Sequence, residues 1–73
     1  MIWSFVRSGE RLSCEIRRDP LGLYEFVVTH PDGSERTERF EEPADVVARS
    51  VDVMRGLVED GWRSARQDEP AVG

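Results

Sequence analysis

Lysine is missing from this chain of 73 residues: all ten basic side chains are arginine, against fifteen acids, for a net charge of −5. An acidic chain repels a phosphate backbone at long range, which argues against a nucleic-acid role unless the cations gather on one face. Cysteine occurs once, at Cys14, so the internal disulfide that staples small secreted domains cannot form. Histidine also occurs once, at His30, and one Cys with one His falls short of the three or four ligands of a zinc site. No apolar run approaches the roughly 20 residues of a membrane span. The stretch from Met1 to Arg7 has neither the basic leader nor the long apolar core of a secretory signal. Glycine-rich phosphate loops are absent too, since Gly9, Gly22 and Gly33 stand alone. These absences leave the expectation of a cytoplasmic domain with no cofactor, no metal, no membrane association and no identifiable small-molecule substrate.

With 38% hydrophobic and 34% charged residues, the composition fits a globular domain rather than a disordered or membrane chain. A chain of this length buries only about 60% of the surface its unfolded form exposes, so the core is thin. Ser8-Gly9 reads as a two-residue turn between segments of alternating polarity. Pairing Arg7 with Glu10 then sets Phe5 against Leu12 and Trp3 against Cys14. One face carries Trp3, Phe5, Leu12, Cys14 and Ile16 and becomes the core face; the other carries Ile2, Ser4, Val6, Arg11, Ser13, Glu15 and Arg17. From Arg17 to Gly22 a breaker cluster is expected to interrupt any regular ladder between the second and third strands. A second hairpin follows. In it, Pro31-Asp32-Gly33 makes a three-residue loop that opposes His30 to Ser34, Glu25 to Arg39 and Tyr24 to Phe40. The densely charged fourth strand suits an exposed sheet edge.

From Pro43 the apolar period changes from two to about 3.6, through Ala44, Val47, Val51, Met54 and Val58, which specifies a helix. Pro43 opens it, Asp45 favours its positive end, and Gly61 is placed as a left-handed terminator with Trp62 packing back on Leu57. The expected fold is therefore α+β: a four-stranded antiparallel meander of two hairpins, packed by one C-terminal amphipathic helix. Strands fall at about residues 2–7, 11–17, 22–30 and 34–40, the helix at about 43–60, and a flexible tail at 63–73 beyond a single domain of residues 1–62.

The search for chemistry finds little. Cys14 lies between Leu12 and Ile16 on the core face, with no cation to lower its pKa, and reads as a small buried hydrophobe. His30 reads as a solvated turn residue. The acidic run Glu35, Glu38, Glu41, Glu42 and Asp45 could hold a hard cation, but interleaved Arg36 and Arg39 make it a charged edge leading into the acidic start of a helix. A single-stranded nucleic acid could be steered by Arg7, Arg11, Arg17 and Arg18, and four strands followed by a helix resembles the single-strand-binding Whirly proteins in topology. The aromatics that would stack bases, however, fall on the core face. The leading expectation is instead a protein-interaction module, non-catalytic and self-associating. At about 100° per residue the apolar positions of the helix sweep an arc of roughly 220°, wider than one sheet covers. The flank of Val46, Val53 and Leu57, joined by Ile2 and Val6 of the outer sheet face, is the expected interface of a homodimer or of a hetero-partner.

The succession Trp3-Ser4-Phe5, Leu12, Cys14-Glu15, Tyr24-Glu25, Pro31-Asp32-Gly33, Phe40 and Gly61-Trp62 resembles short uncharacterised bacterial proteins of hairpin, hairpin and helix design. The resemblance covers residues 1 to 62 and consists of turn and core positions. It implies the fold and no activity, site or cofactor.

Overall fold

Ser8 takes φ 51° and Gly9 φ 79°. This left-handed pair matches the right-handed twist of flanking strands, and it joins β1 (Ile2–Arg7) to β2 (Glu10–Arg18). The register follows from it: Arg7 pairs with Glu10, Phe5 with Leu12 and Trp3 with Cys14, as the alternation of polarity requires. The computed structural model describes residues 1–65, and everything below concerns those.

The breaker cluster shapes a loop without interrupting a ladder, contrary to the sequence expectation. β2 pairs with β3 (Tyr24–Thr29) from Ser13 opposite Thr29 to Arg18 opposite Tyr24. The reason lies in Asp19, whose carboxylate accepts the backbone N–H groups of Leu21 and Leu23, both at 2.9 Å, while its own N–H donates to the Leu23 carbonyl. A short aspartate side chain thus supplies the hydrogen bonds that Pro20 and the left-handed Gly22 remove from a regular turn. The second hairpin forms as its residues dictate. Gly33 at φ 88° closes a three-residue loop, His30 and Ser34 face each other through a 2.8 Å backbone bond, and β4 (Glu35–Phe40) pairs with β3 in the expected register. The Asp32 carboxyl is held below its usual range, chiefly by the Ser34 hydroxyl and then by the Ser34 N–H.

α1 (Pro43–Glu59) starts with proline in its first turn and ends in a Schellman motif. Trp62 N–H donates to the Leu57 carbonyl at 2.9 Å and Gly61 N–H to the Val58 carbonyl at 3.1 Å, with Gly61 at φ 93°. The chain then does what its composition does not announce. Arg63–Ala65 form β5, antiparallel to β1, so the sheet has five strands in the order β4-β3-β2-β1-β5. These residues were expected to belong to the tail because they lack apolar alternation. What recruits them is the edge of β1, whose free N–H and C=O groups accept whatever backbone the helix terminator delivers beside them. Residues 66–73, the rest of the expected tail, lie outside the described residues.

The helix leaves β4 at Phe40 and is tied down at the far corner of the sheet. There, Arg7 at the end of β1 bonds the Asp60 carboxylate at 2.7 Å and lies 4.6 Å from the Trp62 ring centroid. α1 therefore crosses the sheet on a diagonal, from the β4 corner to the end of β1. The residues under that line are the most buried ones: Phe26, Cys14, Phe5 and Leu12 from the sheet, with Val46 above and Trp62 at the end. Among the described residues the opposite face has no helix over it. On it Glu25 is clasped between Arg17 (3.3 Å) and Arg39 (3.0 Å), and Val27 and Ser4 are closed off among their cross-strand neighbours.

Candidate functional site

A diagonal helix on a sheet leaves two corners uncovered, and the surfaces available for function lie there. The first corner holds Trp3, Ile16 and Tyr24, all half-buried, with Arg18 stacked 5.0 Å above the Tyr24 ring. Above it α1 turns out a stripe of Val47, Val51 and Val58, exposed by 52%, 46% and 59%, with half-buried Met54 among them.

This is not the flank expected from the sequence. Val46, Val53 and Leu57 face the sheet: Val46 is 1% exposed, and the other two pack against the core. The helical wheel fixes the width of the apolar arc but not the rotation of the helix about its axis. Ser50 puts a hydroxyl within that arc. Here it is 2% exposed and donates to the Val47 carbonyl at 2.7 Å, which satisfies it in the core and turns the valine stripe outward. Ile2, 47% exposed, and half-buried Val6 lie on the helix-free face of the sheet, so they do not join the stripe into one patch.

The second corner is a cleft of about 180 Å³ between α1 and the β3–β4 side of the sheet. Its floor and inner wall are Leu12, Phe26, Val28, Val53 and Leu57; its rim is His30, Arg36, Glu38 and Arg49. Sequence reasoning missed it because its apolar members are ordinary core positions. Only the corner left by the oblique helix makes them a concavity. Arg49 closes one side by bonding Glu38 through two nitrogens, at 2.8 and 3.3 Å. That pairing holds the Glu38 carboxyl below its ordinary range and the Arg49 guanidinium above its own. A depressed carboxyl contributes stability that is present above its unfolded pKa and lost as pH falls through the folded value. Glu38→Gln is accordingly expected to lower stability at neutral pH by about 0.5 kcal/mol, a partly exposed pair being screened by solvent. Urea unfolding should show the deficit vanishing as acid protonates Glu38 in the folded protein; a deficit unchanged in strong acid contradicts the pairing.

The remaining candidates are scattered. Arg11 and Arg17 lie on the helix-free face, Arg7 is engaged by Asp60 and Trp62, and Arg18 covers Tyr24. The four arginines considered for nucleic acid thus divide between two faces, and Arg17 is committed to Glu25 and Glu15. Of the acidic run, Glu35 and Glu38 point to opposite faces of β4, and no group of three or more potential ligands able to hold a metal forms among the described residues. Cys14 is fully buried. No helix among the described residues is long and apolar enough to cross a membrane. No protein-family model, curated protein or solved structure matches the chain. The functional reading therefore rests on geometry alone.

Proposed function

We propose that this chain is a self-associating interaction module of the cytoplasm, non-catalytic, that pairs with a second copy of itself through the outward side of α1. The observation that supports this reading is the row of Val47, Val51 and Val58, three branched aliphatic side chains each about half exposed on one helix face. They stand beside a sheet corner carrying half-buried Trp3, Ile16 and Tyr24. Monomers seldom leave contiguous apolar surface of this kind in water.

The row is also symmetric. Val47 and Val58 stand equally far from the middle of the stripe, between Asp52 and Val53, and so do Val51 and Met54. A two-fold axis through that point sets two α1 helices antiparallel, with Val47 against Val58 of the second copy and Val51 against Met54. Isologous pairing of this type is the commonest form of homo-oligomer.

Sedimentation equilibrium over a hundredfold range of concentration tests the reading, and the mass is expected to rise to that of two chains. Val51→Arg should hold the mass at one chain while leaving the helical circular-dichroism signal intact, because Val51 is already 46% exposed. A single-chain mass for the unmodified protein at every concentration refutes the proposal. So does a Val51→Arg variant that still sediments as two chains.

A further inference from the structure

We propose that the cleft between α1 and the β3–β4 corner is a binding site for a small organic anion, a carboxylate on a compact apolar body such as benzoate or a short-chain fatty acid. The site lies on the opposite flank of α1 from the valine stripe and does not depend on self-association.

Size sets the first limit. An apolar cavity of about 150 Å³ is enough to take a benzene ring, and this one offers about 180 Å³. A ring or a chain of similar bulk therefore fits within it. The lining sets the second. Phe26, Leu12 and Val28 form the floor and Val53 and Leu57 the wall, with no hydrogen-bonding side chain among them, so the buried part of the ligand must be apolar.

Charge on the rim determines the other end. Among the described residues Glu38 carries the only negative charge lining the cleft; Arg49 binds it through two hydrogen bonds, and Arg36 adds a weaker, longer-range attraction. Arg36 remains. It projects from β4 on the cleft side, beside Val28 in the register, is exposed, and has no ion-pair partner among the described residues. A guanidinium at the mouth of an apolar pocket offers two parallel N–H donors to a carboxylate. His30, exposed at the end of β3, flanks the same mouth and adds a ring nitrogen. The rim thus bears a net positive charge on a protein that is acidic as a whole. Such a rim selects a single negative charge over a neutral head group.

The test is a two-dimensional amide NMR titration of the full chain at constant ionic strength with three probes: sodium benzoate, sodium hexanoate and benzyl alcohol. Benzoate or hexanoate should give saturable shifts centred on His30, Arg36, Val53 and Leu57, with affinity in the millimolar range usual for ligands of this size. Which acid binds more tightly distinguishes an aromatic from an aliphatic source. Benzyl alcohol should bind about tenfold more weakly than benzoate, for want of the charge-assisted pair. Arg36→Gln changes an exposed strand residue and should keep the fold, as the remaining amide spectrum will show. It should weaken the acids about tenfold and leave benzyl alcohol unchanged. Three results overturn the proposal: no saturable shifts with either acid, shifts centred away from the cleft, or equal binding of acid and alcohol with Arg36→Gln without effect.

Discussion

Trp62→Ala is expected to cost about 3–5 kcal/mol, enough to unfold much of the population of so small a domain at physiological temperature. The indole is 6% exposed, at the position after the helix terminator where a Schellman ending places its hydrophobic contact. Three separate structures meet at this side chain. Its backbone N–H closes the Schellman motif on Leu57. Its ring fills the end of the diagonal core beside Phe5 and carries the Arg7 guanidinium 4.6 Å from its centroid, with that guanidinium held in turn by Asp60. Its position also fixes where the chain emerges to form β5 against β1. Alanine at this position leaves a void that the five-stranded sheet cannot collapse to fill, because sheet and helix are both pinned there. Chemical denaturation followed by far-ultraviolet circular dichroism gives the number. Trp62→Phe, which keeps a ring and most of the burial, should lose clearly less than alanine. A loss of under about 1 kcal/mol for Trp62→Ala would mean that the indole is not a core residue at all.

The turns and registers of this fold are local properties, and that is why the sequence discloses them. Ser8-Gly9 and Pro31-Asp32-Gly33 each admit few backbone conformations, and once the turn is fixed the alternation of Trp3, Phe5, Leu12 and Cys14 or of Tyr24, Phe26 and Val28 admits only one pairing. The Schellman ending at Gly61 and Trp62 is equally local. What depends on how elements meet was not legible. The rotation of α1 about its own axis is decided by whether Ser50 can be buried, and it can, through a bond to its own helix that no pattern of hydrophobicity reports. Its oblique path depends on packing between residues far apart in sequence, Val46 and Trp62 against Phe5, Leu12, Cys14 and Phe26, with the Arg7–Asp60 pair at its far end. Both candidate surfaces descend from these two facts. Rotation exposes Val47, Val51 and Val58 instead of Val46, Val53 and Leu57, and the oblique crossing opens the cleft at one corner and the aromatic shelf at the other. β5 was illegible for a related reason: a strand of three residues is held by the edge it meets and not by its own composition.

Cys14 should be almost unreactive in the folded protein, with a native rate toward a thiol-disulfide reagent roughly a thousandfold or more below that in denaturant. The thiol is 0% exposed, on the line where α1 crosses β2, between Leu12 and Ile16 along its strand and opposite Trp3 and Val28 across it. Burial acts in two ways. A reagent reaches the sulfur only when the core opens, and in the closed form burial pushes the thiol from 9.0 up to about 11, so the native state holds almost no thiolate at neutral pH. The second effect has a thermodynamic counterpart with a definite sign. A thiol whose folded pKa is raised contributes stability that is intact below the unfolded pKa and is lost above it. Between about pH 9 and pH 11 the unfolded chain ionises first, so stability falls by up to about 1.4 kcal/mol for each pH unit. Cys14→Ala is less stable at neutral pH for want of the sulfur's packing, but it should lack that particular decline. The difference between the two proteins therefore narrows as pH rises through this window. Equal labelling rates in native and denaturing buffer would place Cys14 outside the core and reverse the register of the first hairpin, driving Arg11 and Arg17 inward against the cost of burying two unpaired guanidiniums.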